Sequence, residues 1–209
     1  MLFRSDVKIV MAGAGAAGTA VLKLLLTAGA RHVISCDIEG AVSGGRPGLN
    51  DSLTWIAEHT NAQGYSGDLK GAVVGADVFI GVSAPNVLAD EDVKTMNPGA
   101  IVFALANPDP EVDPDAAREY AAVVATGRSD YPNQINNVLA FPGFFRGLLD
   151  AQSHDIRPEM LVAAARALAD VVKEDELNAN FIVPSVFDPE VATGVAAAVK
   201  NVAQSALQA

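Results

Sequence analysis

Short apolar runs alternate along the chain with stretches of helical periodicity, and glycine, proline or a capping residue stands at most junctions. The runs at 7–12, 32–37, 77–82, 101–106 and 122–125 are rich in Val, Ile and Phe and short enough to read as buried strands. Between the first two, 19–28 predicts a helix. With Ala16, Ala20, Leu22, Leu24, Leu25 and Leu26 it is apolar around most of its circumference, and Gly29 follows as the C′ residue. Further helices are expected over 51–59, with Asp51 as cap and Trp55 and Ile56 turned inward, and over 68–74. Another runs over 90–96, with Asp90 as cap and Asn97-Pro98-Gly99 as stop, and one begins at Asp113-Pro114, where a first-turn proline is tolerated. Two alanine-rich helices close the chain, over 158–173 and 189–206. Asp188-Pro189-Glu190 announces the second with a cap, a proline and a first-turn carboxylate. Strands alternating with helices imply parallel βαβ units and an α/β, doubly wound sheet. The expected organisation is one domain over 1–209 with a helical C-terminal extension from about 151.

The first junction carries chemistry. The strand at 7–12 runs into Gly13-Ala14-Gly15-Ala16-Ala17-Gly18, glycines spaced G-x-G-x-x-G, and a helix follows at once. That context fits a turn that holds a dinucleotide pyrophosphate in a Rossmann-type doubly wound parallel sheet with C-terminal helices. Gly13 allows the tight turn, Gly15 lets the backbone approach the phosphates, and Gly18 lets the helix pack close on the strand. The unpaired N–H groups at the helix start face the anion. The second strand ends at Asp37, placed to accept hydrogen bonds from the adenosine ribose.

Composition narrows the partners. Half of the 209 residues are hydrophobic and 19% are charged, so a large core is available and disorder is not expected. A formal charge of −11 argues against nucleic acid and against an anionic membrane surface. Cys36 is the single cysteine, which excludes an intrachain disulfide and a thiolate metal cluster and fits a reducing compartment. The start of the chain shows no signal-peptide pattern and no apolar run spans a bilayer. A soluble, cytoplasmic protein is expected.

The remaining strand ends add Ser83-Ala84, where small side chains either leave space beside a flat ligand or simply make a turn, then Asn107 and Thr126-Gly127. With the glycine turn and Asp37, five segments are expected to meet at one crevice beyond the carboxyl ends of the strands. The glycine-rich stretch 38–50 reads as an ordinary surface loop or, alternatively, as a loop near the adenosine end in which Arg46 touches a phosphate or forms a salt bridge. His32, His59 and His154 have no metal-ligand partner in sequence and read as structural. From Arg128 to Gly147 the chain turns polar and amide-rich, then aromatic. Its Asn and Gln side chains suit a carboxamide or a carboxylate, and Phe141, Phe144 and Phe145 are expected in a core.

Taken together the motifs resemble the C-terminal half of bacterial malic enzymes. The resemblance rests on the glycine turn, Cys36-Asp37, GADVFIGVS at 75–83 and FALANP at 103–108. TGRSDYPNQ at 126–134, NNVLAFPG at 136–143 and IVPSVFD at 182–188 complete it, and it covers nearly the whole chain from Val7. It implies oxidation of malate with NAD or NADP and decarboxylation to pyruvate on a divalent metal, Mg or Mn. It implies cofactor contacts at Gly13, Ala14, Gly15, Ala16, Ala17, Gly18, Asp37, Ser83, Ala84 and Asn107. Asn107 would also lie beside the substrate, and Asn136 and Asn137 would hold a substrate carboxylate, with Asn137 the preferred contact.

In that family the catalytic lysine and tyrosine and the acidic metal ligands belong to an upstream domain. The lysines here (Lys8, Lys23, Lys70, Lys94, Lys173, Lys200) fall in none of the strand-end motifs. The chain therefore reads as the cofactor-binding part of a malic enzyme, a piece or a truncated product holding half the site, with no catalytic or metal-ligating residue of its own. The metal is expected only in the full-length enzyme, as is a homodimer. The alternatives are a non-catalytic NAD-binding or sensing module and, less well matched, another dehydrogenase with the same sheet. Asp37 followed by Ile38 and Glu39 opposes a 2′-phosphate, so NAD is expected over NADP unless the loop carries Arg46 back over the adenosine.

Overall fold

The computed structural model describes residues 6–207. Its chain divides into two compact units, one up to Pro132 and one from Asn133 onward. In the first, strand β1 (Lys8–Ala12) lies centrally, and helix α1 (Ala16–Thr27) leads to the parallel neighbour β2 (His32–Asp37). After β3 (Gly40–Ala41), α2 (Asp51–His59) and α3 (Leu69–Val73), strand β4 (Val78–Gly81) returns to the other side of β1. Helix α4 (Asp90–Val93), β5 (Ile101–Ala104), α5 (Pro114–Ala117) and β6 (Val123–Thr126) complete the unit. Among the described residues the sheet has six strands in the order β3-β2-β1-β4-β5-β6. All pairings are parallel except β2 with β3.

The doubly wound form follows from the apolar runs themselves. Side chains alternate across a strand, so a run apolar at every position must be covered twice. In β1, Ile9 and Met11 enter a core with Leu22 of α1 and Ile56 of α2. Val10 and Ala12 enter the opposite core with Val73 of α3, Val93 of α4 and Ala117 of α5. Right-handed crossovers on both faces bring all five parallel strands to the same edge with their carboxyl ends.

Several local expectations shift. Asn50, not Asp51, caps α2, its side chain accepting from Leu53 N at 2.9 Å. Ala89 occupies the cap of α4, so Asp90 is its first residue, and the helix ends at Val93. There Asp92, the third residue of the helix, reaches back and its Oδ2 accepts from the N–H of the cap residue Ala89 at 2.8 Å. The stretch 38–50 is not wholly loop, since β3 pairs antiparallel with the end of β2 through Asp37 and Gly40.

The second unit holds a 3-10 turn (Asn137–Leu139), α6 (Phe141–Asp150), α7 (Pro158–Val171) and α8 (Pro189–Leu207). Helix α6 starts before residue 151, ahead of the expected start of the helical extension. Phe144 is buried with Leu148, Met160, Val195 and Val199. Phe141 and Phe145 are each 51% exposed, so only one of the three phenylalanines expected in a core is there. With 3.6 residues per turn, positions 141 and 145 share a face that 144 does not.

Candidate functional site

At the edge of the first unit where β1, β2 and β4 end, a cavity of about 560 Å³ is lined by Gly13 and Ala14 of the turn, Asp37 and Glu39 past β2, and Ser83 and Ala84 past β4. The turn is built by sterics. Gly13 takes φ +111°, and a Cβ there would stand 2.5 Å from the carbonyl oxygen of Val82. Its N–H donates to the Cys36 carbonyl at 2.8 Å, fixing the turn against the end of β2. At Gly18 a Cβ would stand 1.8 Å from the carbonyl oxygen of Gly13, so the first turn of α1 lies directly on the loop that feeds it. At Gly15 a Cβ would meet nothing within 4 Å. Gly15 is the N-cap of α1 and no side chain caps the helix, so Ala16, Ala17 and Gly18 present helix-start N–H groups. A dinucleotide fits this cradle: an open backbone approach at Gly15, a dipole end, and a cavity of ligand size.

The acidic residue at the end of β2 is already engaged. Arg46 reaches back across the glycine-rich stretch and makes a two-pronged contact with Asp37, Nη2 with Oδ2 and Nη1 donating to Oδ1 at 2.8 Å. Oδ1 also accepts from Glu39 N at 2.9 Å, and Glu39 Oε2 lies 3.8 Å from Arg46 Nε. The Arg46 guanidinium therefore holds the Asp37 carboxyl below its usual range, and the Arg46 charge is held correspondingly firmly. Beside it the Cys36 thiol is pushed up to about 12, by burial first and then by the negative charges of Asp37 and Asp68.

Four lining residues carried no sequence signal: Asp68, Leu69, Lys70 and Val87. Asp68 caps α3 by accepting from Gly71 N at 2.8 Å. Lys70, outside every strand-end motif, pairs with Asp92 at 3.0 Å. Glu111 is a further surprise. It has no exposed surface, and its carboxylate accepts from Ser83 N (2.7 Å), Ser83 Oγ (3.2 Å) and Ala106 N (2.9 Å). One glutamate between a proline and a valine reads in sequence like any loop residue.

The other anticipated residues, Asn107, Thr126-Gly127, Asn136 and Asn137, are not among those lining this cavity. Asn107 lies exposed just past β5, and Thr126 is buried at the end of β6, its Oγ accepting from Arg128 N at 3.1 Å. Arg128 pairs with Asp130 at 2.6 Å and lies over the Tyr131 ring at 5.1 Å. Asn136 and Asn137 belong to the second unit. Asn136 Oδ1 accepts from Val138 N at 3.0 Å and so caps the 3-10 turn, while Asn137 is exposed. Asn133 ties down its own unit, donating to the Ala179 carbonyl at 2.8 Å and accepting from Ile182 N at 2.9 Å. Among the described residues no group of three or more His, Cys, Asp or Glu is arranged to hold a metal ion, so these residues alone do not fit the divalent metal that the resemblance implies. Among them too, no helix is long and apolar enough to cross a membrane.

Known proteins resemble the chain in sequence and in fold. The family described as "Malic enzyme, NAD binding domain" matches residues 3–204. The NAD-dependent malic enzyme of Geobacillus stearothermophilus is 52% identical over 95% of this chain and 41% of its own length. The bifunctional malic/malolactic enzyme of Bacillus subtilis (strain 168) is 51% identical over 95% of this chain and 49% of its own. The NADP-dependent malic enzyme of Halomonas elongata is 40% identical over 94% and 50%. The solved malic enzyme of Pyrococcus horikoshii Ot3 superposes with a TM-score of 0.91, at 38% identity over 97% of this chain and 49% of that one. The chain thus spans 41–50% of the length of these curated relatives.

Proposed function

The chain belongs to the malic enzyme NAD-binding domain family, and on that premise we propose that it is the dinucleotide-holding part of a malic enzyme that oxidises and decarboxylates malate to pyruvate. The observation that carries this reading is the cavity at the carboxyl edge, with the Gly13 turn on one side and Asp37 on the other. The backbone of Gly13 to Gly18 would hold the pyrophosphate, Asp37 the adenosine ribose, and Ser83 and Ala84 the side of the bound dinucleotide. Asn107 would stand beside the nicotinamide and the substrate. Asn136 and Asn137 would serve a substrate carboxylate through their amide N–H₂ groups, and Asn137, the more exposed of the two, is the preferred contact. When bound, the oxidised nicotinamide accepts the hydride that leaves malate. Neutral amides suit the substrate because they orient a carboxylate without demanding a buried counter-charge.

NAD is the proposed cofactor. The cavity is lined by Asp37, Glu39 and Asp68 against the single cation Lys70. Arg46 does reach the adenosine end, but its charge is spent on Asp37. A 2′-phosphate would meet the Glu39 carboxylate and an Asp37 carboxylate already paired with Arg46, at a cost of about 1 kcal/mol or somewhat more, roughly a tenfold loss of affinity. A divalent metal, the general acid–base groups and the homodimer are proposed for the whole enzyme, working in the cytoplasm; sedimentation of that enzyme tests the dimer.

Calorimetric titration with each cofactor decides the reading. NAD is expected to bind, NADP more weakly by that factor, and malate to stay unoxidised by the chain alone with or without Mg²⁺ or Mn²⁺. General acid–base groups typically contribute factors of about 10²–10⁴, and the metal adds its own stabilisation. Malate-dependent reduction of NAD by the pure chain overturns the half-site reading. Tighter NADP binding that Arg46→Ala abolishes overturns the cofactor assignment.

A further inference from the structure

Glu111 is the largest fully buried charged side chain in the described chain, and nothing in the reaction so far uses it. Burying a carboxylate is costly unless its oxygens are satisfied. Here three donors satisfy it, all neutral: the N–H and hydroxyl of Ser83 on one oxygen and the N–H of Ala106 on the other. Among the described residues no Lys, Arg or His pairs with it. Its backbone is pinned as well, its carbonyl accepting from Leu88 N at 3.0 Å. The carboxylate also explains a glycine. A Cβ on Gly81, the last residue of β4, would stand 2.3 Å from the Glu111 Cδ.

These contacts lie where two adjacent parallel strands end. Ser83 follows β4 and lines the cavity, and Ala106 follows β5 and immediately precedes Asn107. One carboxylate therefore sets the loop after each strand. It also sets a polarity. The Ser83 hydroxyl donates its only proton to Glu111, so Oγ offers lone pairs to the cavity and accepts an N–H or O–H from whatever binds there.

We propose that Glu111 is a positioning residue for the dinucleotide, its buried carboxylate fixing Ser83 as a hydrogen-bond acceptor and Ala106 as the anchor for Asn107 so that the two loops receive the nicotinamide riboside half. This rests on the dinucleotide reading above. Through Glu111 the site selects a donor at Ser83, which the ribose hydroxyls and carboxamide of that half supply.

The test titrates the chain, Glu111→Gln, Ser83→Ala and the double variant with NAD and with ADP, which carries only the adenosine and pyrophosphate portion. Glutamine keeps the shape but turns an amide N–H₂ toward an N–H donor. Glu111→Gln is expected to weaken NAD about tenfold and ADP by no more than about twofold. Ser83→Ala, at an exposed position, is expected to do the same more mildly and to add little on top of Glu111→Gln, because both break one chain of hydrogen bonds. Equal loss of NAD and ADP assigns Glu111 a structural role only and overturns the proposal. So does unchanged NAD affinity in Ser83→Ala, which decides the matter even where Glu111→Gln does not fold. An unmodified chain that binds ADP but gains nothing from the nicotinamide half also overturns it. One that binds neither ligand overturns the dinucleotide reading itself.

Discussion

Two glycines of one turn separate a demand made by the fold from a demand made by a ligand. At Gly18 a methyl group would collide with backbone, the Gly13 carbonyl at 1.8 Å, which cannot move aside as a flexible side chain would. At Gly15 it would meet no protein atom within 4 Å, and the backbone there is ordinary, with φ −79°. Gly18→Ala is therefore expected to destabilise the chain by about 3 kcal/mol or more. Gly15→Ala should stay within about 1 kcal/mol of the parent, the lost helix cap offset by a less flexible unfolded chain. If the dinucleotide approaches at Gly15, that same variant loses NAD affinity, and melting curves with and without NAD read both effects. An unaltered NAD response in Gly15→Ala would place the pyrophosphate elsewhere. The spacing of these glycines was legible because it states a backbone requirement. The engagement of Asp37 by Arg46 was not, since it depends on how a glycine-rich stretch folds, and sequence offered a salt bridge only as one reading beside a phosphate contact and an ordinary surface loop.

Strands and long helices followed from apolar periodicity, because their period is what the two cores select. The short elements did not. Helices α4 and α5 are four residues each, too brief for a period; the Asp113-Pro114 capping signal gave the start of α5, while α4 is capped one residue before the expected Asp90. Helix α6 shows a different blindness. Its aromatics drew attention, while its glycines make the contact. Cβ atoms on Gly143 and Gly147 would lie 2.7 and 2.6 Å from the carbonyl oxygens of Ala192 and Ala196, and 2.7 and 2.8 Å from the Cβ atoms of Val195 and Val199. The four-residue spacing puts both on one face, so α6 and α8 approach at backbone distance. That spacing was the available signal. Gly147→Ala is expected to cost about 2–3 kcal/mol. Gly194→Ala, on α8 with nothing within 4 Å of its Cβ, should instead gain about 0.5–1 kcal/mol from helix propensity. Denaturant midpoints for the two variants should move in opposite directions, and a midpoint unchanged or raised in Gly147→Ala would contradict the close packing of α6 on α8.

For the molecule as a whole, the alternation of strand and helix was enough to give the doubly wound sheet, while the division at Pro132 and Asn133 falls inside the polar, amide-rich stretch that begins at Arg128 and was read there as a site, not a boundary. Net charge, in contrast, is a global quantity that sequence states outright, and it opposes the proposed ligand. A charge of −11 acting from about 20 Å in water repels each negative charge by roughly 2 kcal/mol before screening. The exposed start of α1 returns only about 0.3–1 kcal/mol by its dipole. At low salt the long-range term therefore wins. The Debye length falls from about 30 Å at 0.01 M to about 8 Å at 0.15 M, which removes most of the repulsion and leaves the hydrogen bonds at the turn in place. Affinity for NAD should rise with salt over that range, by about two- to fivefold. For NADP, whose added phosphate brings nearly two more negative charges, the rise should be steeper. This is the reverse of an anion site built on lysine and arginine, where added salt weakens binding. Titrations at the two salt concentrations measure it. Affinity that falls with salt would mean that Arg46 or Lys70, rather than the backbone of the glycine turn, holds the dinucleotide, and Arg46→Ala and Lys70→Ala would show which.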